Sequence, residues 1–368
     1  MSGEPLRLFL GGDVMTGRGI DQIQAVPGDP TLYESHARSA LRYVEIAERS
    51  HGSIPRGQGP EYVWGDVPEL LDDAAVDARI INLETSMTDR GEPWPAKGIH
   101  YRMHPRNVDV LRSAGIDCCV LANNHVLDWS YAGLAQTLAS LRDAGIRTAG
   151  AGVDADESRR PAVIEAGRGS RVIVLAVGAL SSGIPSSWSA ADDRPGVWLL
   201  RSLGGDAVRD IEAAISEVRT PGDVAIVSIH WGPNWGYAVP RSHRRFAHAL
   251  IDEAGVDIVH GHSSHHPIGI EVYRGRLVLY GCGDLINDYE GISGHDEFRP
   301  ELVLLYLATV AETGLEELEM LPMRIRRFRL QRVGSDDVIW LARRLTQASR
   351  SFGIRFELTP DGRLHAIW

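Results

Sequence analysis

Six segments of the 368-residue chain end an apolar run and turn at once to side chains that can bind a cation or move a proton. They are GGDVM (Asp13), NLET (Asn82, Glu84), ANNHVLD (Asn123, Asn124, His125, Asp128), SIHWG (His230), VHGHSSHH (His260, His262, His265, His266) and GCGDLINDYEG (Asp284, Asn287, Asp288). Carboxylate and amide oxygens suit hard cations, and imidazoles suit zinc, iron and manganese. A mixed oxygen and nitrogen set therefore fits a divalent Ca, Mn, Mg, Fe or Zn ion and does not select among them. Spare histidines transfer protons near neutral pH, and neighbouring carboxylates fix their tautomer.

Each segment also has a purely structural reading. Asp13 after two glycines can order a turn, and Glu84 can cap a helix. His230 and His260 end apolar strands and can be core histidines; Asp284 and Asp288 can be turn formers. Within the histidine cluster, His262 and His265 are the ligand-type positions, and His266 precedes Pro267. His36, His51, His100, His104, His243, His248 and His365 lack the strand-end context and read as structural or surface residues.

The elements that must carry these side chains alternate. Strands are expected at 6–12, 78–84, 116–122, 223–230 and 256–260, with helices at 32–50, 67–75, 105–114, 131–143, 205–218 and 243–254. Ser130 stands where it can cap the fourth of these helices. Strands 161–166 and 171–177 pair around the turn GRGS, and 268–273 and 276–280 flank the turn RG. Segments 86–104 and 178–198 read as long loops. The chain then continues with strands at 301–309 and about 314–325, a helix at 336–348 and a hairpin around Pro360, Asp361 and Gly362. This order predicts an α/β layered fold with ligands at the carboxyl ends of strands. Residues 1–325 would form the catalytic domain, with the helix and hairpin of 326–368 packed on it.

A net charge of −11 argues against a nucleic-acid partner. The three cysteines, Cys118, Cys119 and Cys282, make no disulfide framework and suggest a reducing compartment. The N-terminal stretch lacks the pattern of a secretory leader, and no segment is apolar for long enough to span a membrane. A cytoplasmic location is the expectation; oligomeric state is not legible.

In its order, the set GDVM, NLE, ANNH, HWG, GHSSHHP and VYRGRLVLYGCGDLI resembles the CapA-type family of poly-γ-glutamate capsule synthesis proteins, over about residues 7–320. That family belongs to the calcineurin-like metallophosphoesterase superfamily. The resemblance implies a layered β core flanked by helices. It implies Asp13, Glu84, Asn124, His230 and His262 as metal ligands, Glu84 standing where a bridging aspartate is usual. His265 would complete the closing histidine pair, His125 would be the acid/base residue, and Asp128 would orient it. Met15 departs from the pattern, because superfamily phosphoesterases place a histidine there.

Three functions follow. The preferred one is Cα epimerisation of a peptide residue, of the lasso-peptide type. Its acid–base pairs would be His125 with Asp128, and His265 or His295 with Asp284, Asp288 or Asp296. The alternative is metal-dependent hydrolysis of a phosphoester or of a poly-γ-glutamate-like amide polymer. A non-catalytic binding domain ranks last. Trp94, Lys97, Tyr101, Arg102, Trp188, Trp231 and Trp235 are expected to line a groove for an extended peptide.

Overall fold

The apolar run Leu6–Val14 is buried almost throughout because it lies inside a ten-stranded sheet covered on both faces. The structure, a computed structural model, describes residues 4–167 and 169–368. Arg168 of the turn GRGS and the first three residues of the N-terminal stretch lie outside the described residues.

In the ten-stranded sheet, Leu6–Val14 pairs antiparallel with Leu302–Ala311 and parallel with Ala78–Leu83. Cys118–Val120 and Arg147–Ala149 continue the parallel side. The antiparallel side runs through Gly314–Arg326 to the terminal hairpin, Arg355–Leu358 with Leu364–Ile367. A seven-stranded sheet is ordered Leu199–Leu200, Arg171–Ala179, Val224–His230, Ile258–His262, Arg276–Leu279 and Ile270–Tyr273, with Ala162–Glu165 paired to Arg171–Ala179.

One apolar core joins residues of both sheets, among them Leu10, Ile80, Val174, Ile226 and Leu305. A second core lies on the other face of the smaller sheet. There Leu175, Val177, Ile229 and Val259 meet two amphipathic helices. Gly205–Val218 presents Val208, Ile211 and Ile215, and Arg241–Asp252 presents Phe246 and Leu250. The result is a mixed α/β fold of layered sheets with flanking helices.

Register places the chemistry. Asp13 is the neighbour of Asn82 on one side and of Asp284 on the other. His230 is the neighbour of His262, and Ser228 of His260. The polar residues therefore gather at the carboxyl ends of parallel strands. Gly12 makes this possible: a Cβ there would stand 1.8 Å from the Gly283 carbonyl oxygen. Without a side chain the two segments close up, and the Asp13 amide donates to that same oxygen.

Several expected boundaries change. Only Leu41–His51 of 32–50 is helical; the preceding residues turn inward, where the Glu34 carboxylate meets Arg18 and Tyr43. Ser130 does not cap its helix. It is the first residue of Ser130–Asp143, with φ +59°, and its hydroxyl donates to the Glu92 carbonyl. Segment 86–104 is pinned by a short parallel pair, Ser86–Met87 with Arg102–Met103, because Met87, Tyr101 and Met103 are buried among its polar residues. Segment 178–198 contains two 3-10 turns and the short strand Gly196–Val197 around the buried Trp188.

Candidate metal centre

Asp13 is fully buried and common to two groups of potential ligands: Asp13 with His230 and His262, and Asp13 with His265 and Asp284. Within each group the ligand atoms lie within 4.8 Å of one another. Asn82 Nδ2 donates to Asp13 Oδ1 at 2.7 Å, and the Ser263 amide donates to Oδ2 at 3.2 Å. Glu84 Oε1 is 3.8 Å from His125 Nε2 and 3.9 Å from His230 Nε2. Asn124 Oδ1 is 3.1 Å from His230 Nε2. All five expected ligands thus meet in one cluster. The residue common to both groups is Asp13 rather than Glu84, whose longer arm reaches toward His125 and His230.

The donor set suits a divalent cation. Burial and the neighbouring Asp284 charge push the Asp13 carboxyl up to about 7. Burial and Asp13 hold Glu84 well above the usual carboxylate range. A divalent cation held by Asp13 and its neighbouring histidines would offset that mutual repulsion.

Two histidine–aspartate pairs adjoin the ligands. His125 Nδ1 is 2.6 Å from Asp128 Oδ2, which also accepts from the Tyr101 amide at 2.6 Å. Lys97 Nζ is 2.6 Å from Asp128 Oδ1 and 3.0 Å from His125 Nδ1. Burial pushes His125 down to about 4, against Asp128 and with the help of Lys97. On the other side, His265 Nδ1 is 2.9 Å from Asp284 Oδ1, and Asn287 holds Asp284 Oδ2 at 2.8 Å. Burial opposes the charging of His265, but Asp284 and then Asp13 outweigh it and raise its pKa.

Aromatic rings tie the two pairs together. Tyr101 meets His125 edge-on at 4.4 Å, Tyr289 meets His265 edge-on at 5.3 Å, and the two hydroxyls are 3.0 Å apart. The Arg18 guanidinium lies 4.4 Å over Tyr101 and 3.8 Å over Tyr43, and is held by Asp288 and Glu34.

Some expected site residues stand elsewhere. Asp288 faces neither histidine; its carboxylate is taken by Arg18 and the Gly19 amide. His295 and Asp296 are exposed, and His295 stacks on Trp235 at 3.9 Å, one ring removed from His265. Their loop, entered through the left-handed Gly291 and Gly294, carries them out of the cluster. The expected aromatic groove is also reduced. Trp188 and Trp231 are buried, Trp231 stacked on His243, and Arg102 packs on Trp129. Trp94, Lys97 and Trp235 keep partial exposure near the cluster.

Arg18, Tyr289, Asn234 and Ser228 went unread in the sequence as site residues. Asn234 Nδ2 is 2.8 Å from His265 Nε2. Lys97 carried a signal: among 38 lysines and arginines it is the only lysine.

A mixed α/β protein with a buried cluster able to chelate a divalent cation is the class that these observations define. Residues 7–289 match the family described as bacterial capsule synthesis protein PGA_cap, and the chain belongs to that family. It is 50% identical to a probable polyglutamine synthesis accessory protein of Mycobacterium tuberculosis, over all of this chain and 98% of that protein. It is 25% identical to the PGA biosynthesis protein CapA of Bacillus subtilis, over 85% of this chain and 70% of that protein. Capsule biosynthesis protein CapA of Bacillus anthracis is 23% identical, over 88% and 68%. Among the described residues no helix is long and apolar enough to cross a membrane.

Proposed function

We propose that this protein is a metal-dependent hydrolase of amide bonds in a glutamyl-type polymer or peptide, built on a calcineurin-like core. The observation that carries the reading is that a ligand group of Asp13, His230 and His262 lies in one buried cluster with two histidine–aspartate pairs, His125–Asp128 and His265–Asp284. The polymer part rests on the family and on the names of the relatives, which speak of capsule, polyglutamine and PGA synthesis. That support reverses the order of the two readings drawn from sequence.

A divalent cation bound by Asp13, His230 and His262 would supply Lewis-acid polarisation of a carbonyl and leave His265 and Asp284 free to handle protons. The chain's own groups do the rest. Hydrolysis adds hydroxyl to the carbonyl carbon and a proton to the departing nitrogen. One histidine takes the proton from water and the other delivers one to nitrogen, each oriented by its aspartate through Nδ1. Trp94, Trp235 and Lys97 at the rim are placed to touch the polymer. Three cysteines, all free and buried, fit the cytoplasmic location that belongs to the same proposal.

The second reading, Cα epimerisation of a peptide residue, is favoured by one specific feature: there are two separate histidine–aspartate pairs, as proton removal and return on opposite faces require. Incubating poly-γ-glutamate with chelator-treated and with Mn2+-, Zn2+- or Ca2+-loaded protein in deuterated water separates them. Ion-dependent shortening of the polymer is the expected result. Deuterium gain at Cα with chain length unchanged would move the assignment to epimerisation. Turnover of a phosphoester alone, with the polymer intact, would sink both.

A further inference from the structure

Behind His262 runs a buried hydrogen-bonded chain whose polarity can be worked out atom by atom. Strands Val224–His230 and Ile258–His262 pair in register, so Ser228 and His230 on one face those of His260 and His262 on the other. All four residues are at most 1% exposed. The chain ends on the Gly11 carbonyl oxygen, which only accepts.

His260 Nε2 is 2.9 Å from that oxygen, so this nitrogen carries a hydrogen and donates it. No carboxylate hydrogen-bonds to His260 among the described residues; its partners are a carbonyl and a hydroxyl. A buried imidazole in such company is neutral, with one N–H. Its Nδ1 is therefore an acceptor, and Ser228 Oγ, 3.1 Å away, gives it the hydroxyl proton. With that proton committed, Ser228 Oγ can only accept from His262 Nε2 at 2.8 Å. His262 then holds its hydrogen on Nε2 and keeps a lone pair on Nδ1. That Nδ1 is the atom 2.8 Å from His230 Nδ1 and 3.8 Å from Asp13 Oδ1.

We propose that Ser228 and His260 are positioning residues: they hold His262 as the Nε2–H tautomer and so present its Nδ1 lone pair to a divalent cation. The proposal rests on the cation reading of the cluster and on no part of the substrate assignment.

The polarity argument makes His260→Gln and His260→Leu opposite tests. Glutamine donates through Nε2 to Gly11 and accepts through Oε1 from Ser228, which preserves the polarity. Leucine removes the acceptor, so the Ser228 hydroxyl turns to His262 Nε2 and drives the hydrogen to Nδ1. Ser228→Ala breaks the chain in the middle. The measurements are imidazole 15N NMR of the metal-free full chain, which reads the His262 tautomer, and Zn2+ affinity by chelator competition, with thermal melting of every variant alongside. Wild type and His260→Gln should both show His262 as Nε2–H and bind Zn2+ within about threefold of each other. His260→Leu should show Nδ1–H, and both it and Ser228→Ala should bind about 10- to 100-fold more weakly. A wild-type His262 carrying its hydrogen on Nδ1 would overturn the relay, as would His260→Leu with unchanged tautomer and affinity. Wild-type protein that binds no Zn2+ while showing the Nε2–H tautomer would overturn the cation reading instead, leaving no ligand for the lone pair to serve.

Discussion

The His125 and His265 sides of the site share one plan and differ in charge. Each histidine turns Nδ1 to an aspartate and meets a tyrosine edge, and each is buried. Yet His125 is pushed down to about 4 while His265 is raised above 6.5. The partners' surroundings account for this. At His125 burial, helped by the Lys97 ammonium, outweighs the pull of Asp128, which also accepts from Lys97 and the Tyr101 amide. Beside His265, Asp284 is held by the neutral Asn287 amide, and Asp13 adds a second carboxylate near His265. A histidine–aspartate pair does not by itself define an acid or a base; the third group does. On the proposed hydrolysis, this difference would make His125 the base and His265 the acid.

The largest way to break the comparison is to remove what both ligand groups use. Asp13→Asn should lower ion occupancy of both groups and cost several kcal/mol of transition-state stabilisation, on the order of 10³-fold in rate. Elemental counting and turnover check it together; a fully occupied, fully active variant would refute a shared ligand. Next in size, His125→Ala and His265→Ala should each slow turnover about 10²-fold. Equal losses are expected when both proton transfers limit the reaction, and an intact rate for either variant would remove its pair from the mechanism.

The strand-end positions were readable because parallel strands deliver their last side chains to one edge, and an apolar run followed by Asp, Asn or His marks that edge in the sequence. Pairing across long separations was not. Nothing local ties Asp288 to Arg18, 270 residues away, so Asp288 was grouped with the histidines that share its segment. His295 lies outside the cluster for a related reason: its spacing from Asp284 is short, but two glycines with positive φ turn the loop away. The helix expected over 32–50 was overextended because Leu41, Val44 and Ile46 set a helical period that says nothing of Glu34, which is drawn to Arg18.

Acid sensitivity tests the electrostatics on a smaller scale. Burial lowers His125 and His260 to about 4 and holds His230 and His262 well below 6.5. Their unfolded forms therefore take up protons at a higher pH than their folded forms. The stability they contribute is fully present above pH 6.5 and declines as pH falls toward 4, by an order of about 3 kcal/mol for His260 alone. His265 has the opposite sign, stabilising below 6.5 and losing that contribution as pH rises through its folded pKa. Asp13, raised to about 7, and Glu84, held well above the usual carboxylate range, share that sign, so the histidine contribution is read by difference between variants rather than from the net slope. Between pH 7 and 5 the urea midpoint of wild type should fall relative to that of His260→Gln; the same pH dependence in both proteins would contradict the burial of a neutral His260.

The smallest expected effect sharpens the comparison most, because it alters only the third group. Lys97→Met keeps length and apolar bulk while removing the ammonium beside Asp128. Lys97 lowers the proton affinity of His125, so its loss should raise the His125 pKa from about 4 toward that of His265. It should also free Asp128 to bind His125 Nδ1–H more strongly, since one oxygen loses its charged partner. Turnover should change less than about tenfold near neutral pH, because His125 stays largely neutral there, with the loss growing as pH falls and the base becomes protonated. Asp284→Asn is the reciprocal change and should lower His265. NMR titration of both histidines in both variants reads the outcome directly. If His125 keeps its low pKa without Lys97, burial alone separates the two pairs, and the single lysine of the chain serves only to hold its loop against the Ile99 carbonyl and the Asp128 carboxylate.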